Sequence, residues 1–295
     1  MKKLLFLLLI PTTVFSQRVN FKGKLVDEKT QEPIVYANIS FLKSNKGISS
    51  NEDGTFSMNL DKKYLESKVH VSCLNYKDTI VFAKDLHQKT LYLKPLNIVL
   101  DEIILTKRVE KTIILGEVKG KVQGVHTSGM RMLAKYFPND KRVKCCNYIE
   151  TIEIHFAKKS NHRKKAKFRI RIFSKDDKTG LPNEDILNVN LPIEIEEGQR
   201  VTSVDISNYN IEMPKDGLFI AFEKLFIPFN EYGQNDLDTE NEFCYAPIIG
   251  YTKYSKKDRN DKFYTFVKGE WRASPLGKIK MMRKYAPAIS LKLTN

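Results

Sequence analysis

Residues 51–60 read NEDGTFSMNL: a polar knot around Asp53-Gly54, then Phe56, Met58 and Leu60 alternating with Thr55, Ser57 and Asn59. Period-two alternation marks a strand with one face in a core and the other in water. Asp53-Gly54 suits a tight turn, because glycine accepts a positive φ at no steric cost. The same pattern continues outward. Val35, Ala37, Ile39 and Phe41 make one strand face, and Asn45-Lys46-Gly47 supplies the turn after it. Val69 to Leu74, Thr79 to Phe82 and Leu91 to Leu93 follow as short runs between polar breaks. Short strands at this spacing, with no helical period, predict a compact β-sandwich over residues 18–105.

These residues also carry a family likeness. GKLVDEKTQEPIVYANISFLKSNKGISSNEDGTFSMNL, VSCLNYKDTIVF and LYLKPLNIVLDEIIL resemble the carboxypeptidase-regulatory-like domain, a transthyretin-type (prealbumin-like) β-sandwich common in exported Bacteroidetes proteins. The matching positions are Gly23, Val26, Asp27, Glu32-Pro33, Ala37-Asn38, Gly47, Asp53-Gly54, Phe56, Ser72, Tyr76, Leu100 and Glu102. Two positions depart from the pattern. Gln31 stands where the family has glycine in Thr-Gly-Glu-Pro, and Asn75 stands where glycine precedes the tyrosine. Asparagine visits left-handed space more readily than other non-glycine residues, so Asn75 keeps the backbone requirement. The resemblance implies a non-catalytic module, since the family's namesake is the partner of a zinc peptidase domain that has no counterpart here. It also implies outer-membrane company. Such modules stand before TonB-dependent receptor plugs and end in a segment like Leu100-Asp101-Glu102-Ile103-Ile104-Leu105. The residues after the connector are too few for the large barrel of such a receptor.

Before the first strand, MKKLLFLLLIPTTVFS has the order of a secretory signal peptide over residues 1–16: Lys2 and Lys3, an apolar run from Leu4 to Ile10, then a small residue at the cleavage point. A membrane span needs about 20 continuous apolar residues, and this run is interrupted by Pro11, Thr12 and Thr13, so a retained anchor is the weaker reading. An exported protein in the periplasm or at the outer membrane is therefore expected. The chain carries 50 Lys+Arg against 35 Asp+Glu, a net charge of +15. After export that surplus faces lipid phosphates, acidic glycans or acidic proteins rather than nucleic acid, and peripheral membrane association follows as an expectation. Four cysteines are too few for a disulfide framework. Cys73 reads as a buried thiol on a strand face, while adjacent Cys145 and Cys146 point to opposite faces if they lie in a strand, so at most one reaches Cys244.

Residues 106–130, with glycines at 116, 120, 124 and 129, read as a connector able to lend the strand Lys111 to Leu115 to a neighbour. Beyond it, Tyr148 to Ala157, Ala166 to Phe173, Val201 to Ile206, Leu218 to Phe222, Phe263 to Val267 and Ile289 to Leu293 again alternate. They predict a second all-β domain over 131–295, a jelly-roll-like sandwich. FRIRIFSKDDKTGLPNEDIL and VDISNYNIEMPKDGLFIAFEKL resemble a C-terminal domain found behind the first module in Bacteroidetes proteins. An eight-stranded outer-membrane barrel is the rival architecture, disfavoured by the charges recurring through these strands.

The sharpest candidate site is KAKFRIRIF. Ala166, Phe168, Ile170 and Ile172 face inward, and Lys165, Lys167, Arg169 and Arg171 form an outward cationic row for a polyanion, preceded by Lys158, Lys159, His162, Arg163 and Lys164. The plainer reading is a solvated strand face whose charges oppose edge-to-edge pairing. Trp271, with Tyr251, Tyr254 and Tyr264, offers a stacking platform for a sugar; the plainer reading is core packing. The acidic loops at 174–180 and 235–242, with Asp236, Asp238 and Glu240, lack the calcium-loop pattern, and ordinary polar loops are expected there. The sequence contains no H-E-x-x-H, G-x-S-x-G or P-loop, and His70, His87, His126, His155 and His162 are scattered. His70 and His155 are expected as exposed strand residues. No enzyme, cofactor or metal is expected; the leading expectation is a docking, structural or binding module of the cell envelope, and the alternative is a glycan-binding second sandwich.

Overall fold

The structure is a computed structural model, and it describes residues 17–96, 111–124, 131–157, 165–234, 243–253, 262–273 and 284–295. The signal stretch, Leu100 to Leu105, His126, the cations at 158–164, the acidic loop at 235–242 and Tyr254 lie outside those residues. The chain is all-β and builds more than one sandwich.

In the first sandwich, Arg18–Asp27 lies between Thr55–Asp61, antiparallel, and Thr90–Leu93, parallel. The facing sheet runs Gly47–Ser49, Asn38–Phe41, Lys68–Ser72, Thr79–Phe82, antiparallel throughout. Phe21, Phe41, Phe56, Leu60, Val69 and Leu86 fill the space between. The Phe21 ring sits 5.1 Å from Phe56 and 5.8 Å from Phe41. Each such buried ring stabilises the fold by roughly 2–3 kcal/mol. The Asp53-Gly54 turn forms as the sequence dictates. Asp53 Oδ1 accepts from the Thr55 amide at 2.9 Å, Gly54 has φ +76°, and a Cβ there would stand 2.5 Å from the Leu25 carbonyl oxygen. Alternation reads less well at Lys62–Glu66 and Ala83–Leu86, which are a 3-10 turn and a one-turn helix.

The second sandwich has a large antiparallel sheet in the order Pro182–Asp185, Ala166–Lys175, Leu218–Lys224, Met132–Phe137, Phe263–Val267, Glu270–Ala273, with Pro192–Ile195 also on Ala166–Lys175. A four-stranded sheet packs against it: Val201–Asp205, Tyr148–His155, Ile289–Thr294, Thr112–Leu115. Phe168, Ile170 and Phe222 from one sheet meet Ile152, Ile154 and Leu291 from the other. Within the expected connector, Thr112–Leu115 is therefore an edge strand of this sandwich, and Gln123–Gly124 pairs with Gly250–Lys253. Among the described residues these sheets are open rather than closed on themselves, as the sandwich and not the barrel requires. No helix among the described residues is long and apolar enough to cross a membrane.

Two cores leave one sheet face unexplained. On Ala166–Lys175, the residues opposite Phe168 and Ile170 are Lys167, Arg169 and Arg171, and the strand burial shows the two arginines buried and the lysine half-buried.

Candidate functional site

The first sandwich covers that face. Arg169 is 0% exposed and lies directly across the ladder from Glu223, itself 1% exposed. Arg169 Nε donates to Glu223 Oε2 at 2.7 Å, Nη1 to Asn190 Oδ1 at 3.2 Å, and Nη2 to the Tyr36 carbonyl of the other sandwich at 3.1 Å. Asn38 of the first sandwich reaches Glu223 Oε1 at 3.5 Å. Burial opposes both charges, but each ion outweighs it for the other: the guanidinium stays protonated, and the carboxyl is held below its ordinary range. Around this pair the sandwiches are stitched by backbone and apolar contact. The Ser49 amide donates to the Phe226 carbonyl at 3.0 Å, and Tyr36 packs on Leu225 and Ile227. Lys167 donates to Glu52 at 2.7 Å, and the Tyr36 hydroxyl donates to the same carboxylate at 2.7 Å. The hydrogen bond from Lys167 is the main reason the Glu52 carboxyl sits below its usual range. Tyr36 takes φ +57°, a conformation that costs a side-chain-bearing residue roughly 1–2 kcal/mol, so the interface fixes backbone as well as side chains.

Beside the seam lies a cleft of ≈ 660 Å³, walled by Asn75, Tyr76 and Asp78 from one sandwich and by Phe173, Asn183 and Trp271 from the other. Arg171 and Asp185 also line it; they pair through two hydrogen bonds, Nε to Oδ1 at 2.9 Å and Nη2 to Oδ2. Burial raises the Asp185 carboxyl above its usual range even against Arg171. Asn75 bridges the sandwiches, donating to the Asn188 carbonyl at 2.8 Å. Its φ of +70° keeps the backbone expected at that position, and Gln31, at +62°, keeps the one the family gives to glycine. Tyr76 donates to Asp27 Oδ2 at 2.9 Å, while Asp27 also accepts from the amides of Lys29 and Thr30 at 2.7 and 2.9 Å. The Thr30 amide contributes most to holding the Asp27 carboxyl below its ordinary range. Chemically, the cleft offers an indole and two phenyl rings, primary amides, the Glu184 carboxylate, and the carboxylates of Asp78 and Asp185, which are engaged by His70 and Arg171. That set suits holding a polar ligand with an apolar face. Among the described residues no cluster of three or more His, Cys, Asp or Glu side chains is placed to hold a metal ion.

The cationic row is therefore corrected. Arg169 and Arg171 are buried, at 0% and 9% exposure, and paired within the protein; Lys167 is taken by Glu52, and Lys165 reaches Glu196 at 2.8 Å. A strand pattern shows which residues leave a core but not what covers them. The aromatic platform divides in the same way. Tyr251 is 1% exposed in the core between the second sandwich's sheets, whereas Trp271 and Tyr264 pack on the opposite face of the large sheet. Trp271 meets Phe173 and Phe266 edge-on at 5.5 and 5.3 Å. His70 is buried rather than exposed: its Nε2 is 2.9 Å from Asp78 Oδ2 and its ring 5.8 Å from Phe266. His155 sits 2.7 Å from Glu153. Cys73 is buried, and burial pushes its thiol up. Cys145 and Cys146 lie on a 3-10 turn, Val143–Cys145, and at the residue after it, so they do not splay to opposite strand faces.

The sequence pattern singled out neither Glu223 nor Arg131. Arg131 is buried, both terminal nitrogens lack a hydrogen-bond partner, and the guanidinium lies 3.8 Å over the Phe226 ring. Burial pulls its pKa down to about 9. The nearest signal in the sequence is Gly47, where a Cβ would stand 1.9 Å from Arg131 Nη2.

Residues 21–105 match the family described as the CarboxypepD_reg-like domain. No curated protein matches the chain. Among solved structures, it is similar to the cysteine protease and lectin-like domains of Cwp84, a surface layer associated protein of Clostridium difficile, at 8% identity and TM-score 0.37, over 94% of this chain. The chain spans 58% of the length of that structure. It is also similar to a DUF3823 family protein from Parabacteroides merdae, at 13% identity and TM-score 0.20, over 72% of this chain and 100% of that one. Both TM-scores are too low to inform the chemistry. The turn at Gly54, the Asp27–Tyr76 tie and the backbone kept by Gln31 and Asn75 agree with the family match: residues 21–105 are a CarboxypepD_reg-like domain, with a second β-sandwich fused to it.

Proposed function

We propose that this is a non-enzymatic, exported cell-envelope protein in which the CarboxypepD_reg-like domain and the second sandwich act together as a docking and binding module. The carrying observation is the seam. Arg169, Glu223, Asn38 and Tyr36 join the two sandwiches through buried, satisfied polar contacts, and the Trp271 cleft lies beside them. A module joined in this way presents a fixed composite surface rather than two tethered ones. The signal peptide over residues 1–16 and the family's company in the envelope support the periplasm or the outer membrane as its place. Its partner on this reading is an outer-membrane or other envelope protein.

Trp271 favours a second reading, glycan binding at the cleft, because its indole stands among amides that hydrogen-bond sugar hydroxyls while the ring packs on their apolar face. One experiment separates the readings. A photo-crosslinker at Asn183, carried on the full chain in cells, is expected to yield one recurrent envelope protein, and fractionation is expected to find the chain outside the cytoplasm. Saturable binding to envelope polysaccharide that is lost in Trp271→Ala supports the glycan reading instead. Retention in the cytoplasm, or neither kind of binding, removes both.

A further inference from the structure

Cys145 and Cys146 have no part in the seam or the cleft. Cys145 is exposed at the end of the 3-10 turn Val143–Cys145, Cys146 is buried beneath it, and their sulfurs are 3.2 Å apart. Cys146 Sγ also lies 3.4 Å from the Lys111 carbonyl, just before the edge strand Thr112–Leu115. The other two thiols are placed differently. Cys73 is buried in the core of the first sandwich, and Cys244 lies on the short strand Phe243–Tyr245.

We propose that Cys145 and Cys146 are a reversible modification site, closing to a vicinal disulfide by exchange with a small disulfide such as oxidised glutathione. The order of events follows from exposure. Cys145, the thiol in solvent, loses its proton to water and attacks one sulfur of the oxidant; a mixed disulfide forms and one glutathione thiol leaves. Cys146, already in contact, then loses its proton and attacks the Cys145 sulfur, forming the ring and releasing the second glutathione. Two protons and two electrons leave the cysteine pair, and the glutathione disulfide is reduced to two thiols. Burial, followed by the neighbouring Cys145, pushes the Cys146 thiol up to about 11, which suits it to the second step rather than the first.

The ring is a labile one. A trans peptide fixes neighbouring Cα atoms about 3.8 Å apart, short of the about 4.4–6.8 Å that disulfides ordinarily span, so the closed form is strained and easily reduced. Strained disulfides have the more oxidising potentials typical of regulatory bonds rather than structural ones. Closure also leaves Cys146 without a hydrogen to give to the Lys111 carbonyl, so the oxidation state is felt where the chain joins the second sandwich.

The test is an equilibration of the folded full-length chain in glutathione buffers of graded ratio, followed by acid quenching, alkylation and peptide mass mapping. The peptide holding both cysteines is expected to lose two hydrogens and both alkylation sites in oxidising buffer. It is expected to recover them at ratios that leave ordinary structural disulfides closed. In Cys146→Ser a glutathione adduct is expected to persist on Cys145, since the resolving thiol is gone. Thiols that stay alkylatable in every buffer, a lasting adduct on Cys145 of the unsubstituted chain, or a bridge from either cysteine to Cys244 each overturns the proposal. If Cys146→Ser does not fold, mapping of the unsubstituted chain decides alone.

Discussion

At the scale of single residues, the seam is built on charges buried within the protein. Glu223 is the carboxylate hydrogen-bonded to Arg169, and both are buried. Glu223→Gln leaves that guanidinium uncompensated and is expected to lower stability by about 3 kcal/mol in urea unfolding. Replacing both partners, Arg169→Met with Glu223→Leu, is expected to recover most of the loss, because it removes the charge rather than stranding it. Gly47→Ala meets the Arg131 guanidinium at 1.9 Å and the Ile39 carbonyl oxygen at 2.4 Å, and a cost of roughly 1–3 kcal/mol is expected in the same assay. Asp27 sets a pH dependence. Its carboxyl is held low by the Thr30 and Lys29 amides and Tyr76, so its contribution is complete above the unfolded carboxylate's pKa of about 3.9 and disappears as pH falls through the lower folded value. Asp27→Asn is expected to flatten that acid limb of a stability–pH curve; an unchanged limb would assign it to other carboxylates.

Strands and turns show what a sequence can and cannot tell. Where one face meets a core and the other meets water, as at Thr55–Asp61, alternation was legible, and so were the turn at Gly54 and the buried row Ala166 to Ile172. Met132–Phe137 was not. Six residues there read Met, Leu, Ala, Lys, Tyr, Phe, with both faces covered and Lys135 buried against the Ile289 carbonyl, so the alternation vanished. Pro182–Asp185 and Glu270–Ala273 are short, polar edge strands, each paired in a hairpin with the strand just before it, and four residues of mixed polarity are too few to show an alternation. The candidate site was half legible: Trp271 and Arg171 were singled out, but the walls contributed by Asn75, Asp78 and Asn183 depend on docking the sandwiches, which no local pattern encodes. Edge strands carry their own expectation. Among the described residues Thr79–Phe82 pairs on one side only, and it exposes Ile80 at 56%. Ile80→Lys is expected to leave the unfolding midpoint within about 0.5 kcal/mol of its original value while raising the concentration at which the chain self-associates, measured by sedimentation.

At the scale of the whole chain, the two sandwiches differ from beads on a string because their most deeply buried ion pair and its partners span both. Separate domains with a soft contact would unfold independently. Here the seam couples them, and the cleft exists only while it holds. Trp271 is the sole tryptophan and stands in the cleft wall, reporting on the second sandwich and the seam, whereas far-ultraviolet circular dichroism reports on all the strands. The most direct measurement is urea unfolding of the full chain followed by both signals at once. One shared, cooperative transition is expected, moving to lower urea in both signals with Glu223→Gln; two separated transitions, or a Glu223→Gln shift confined to the tryptophan signal, would contradict a single fused module.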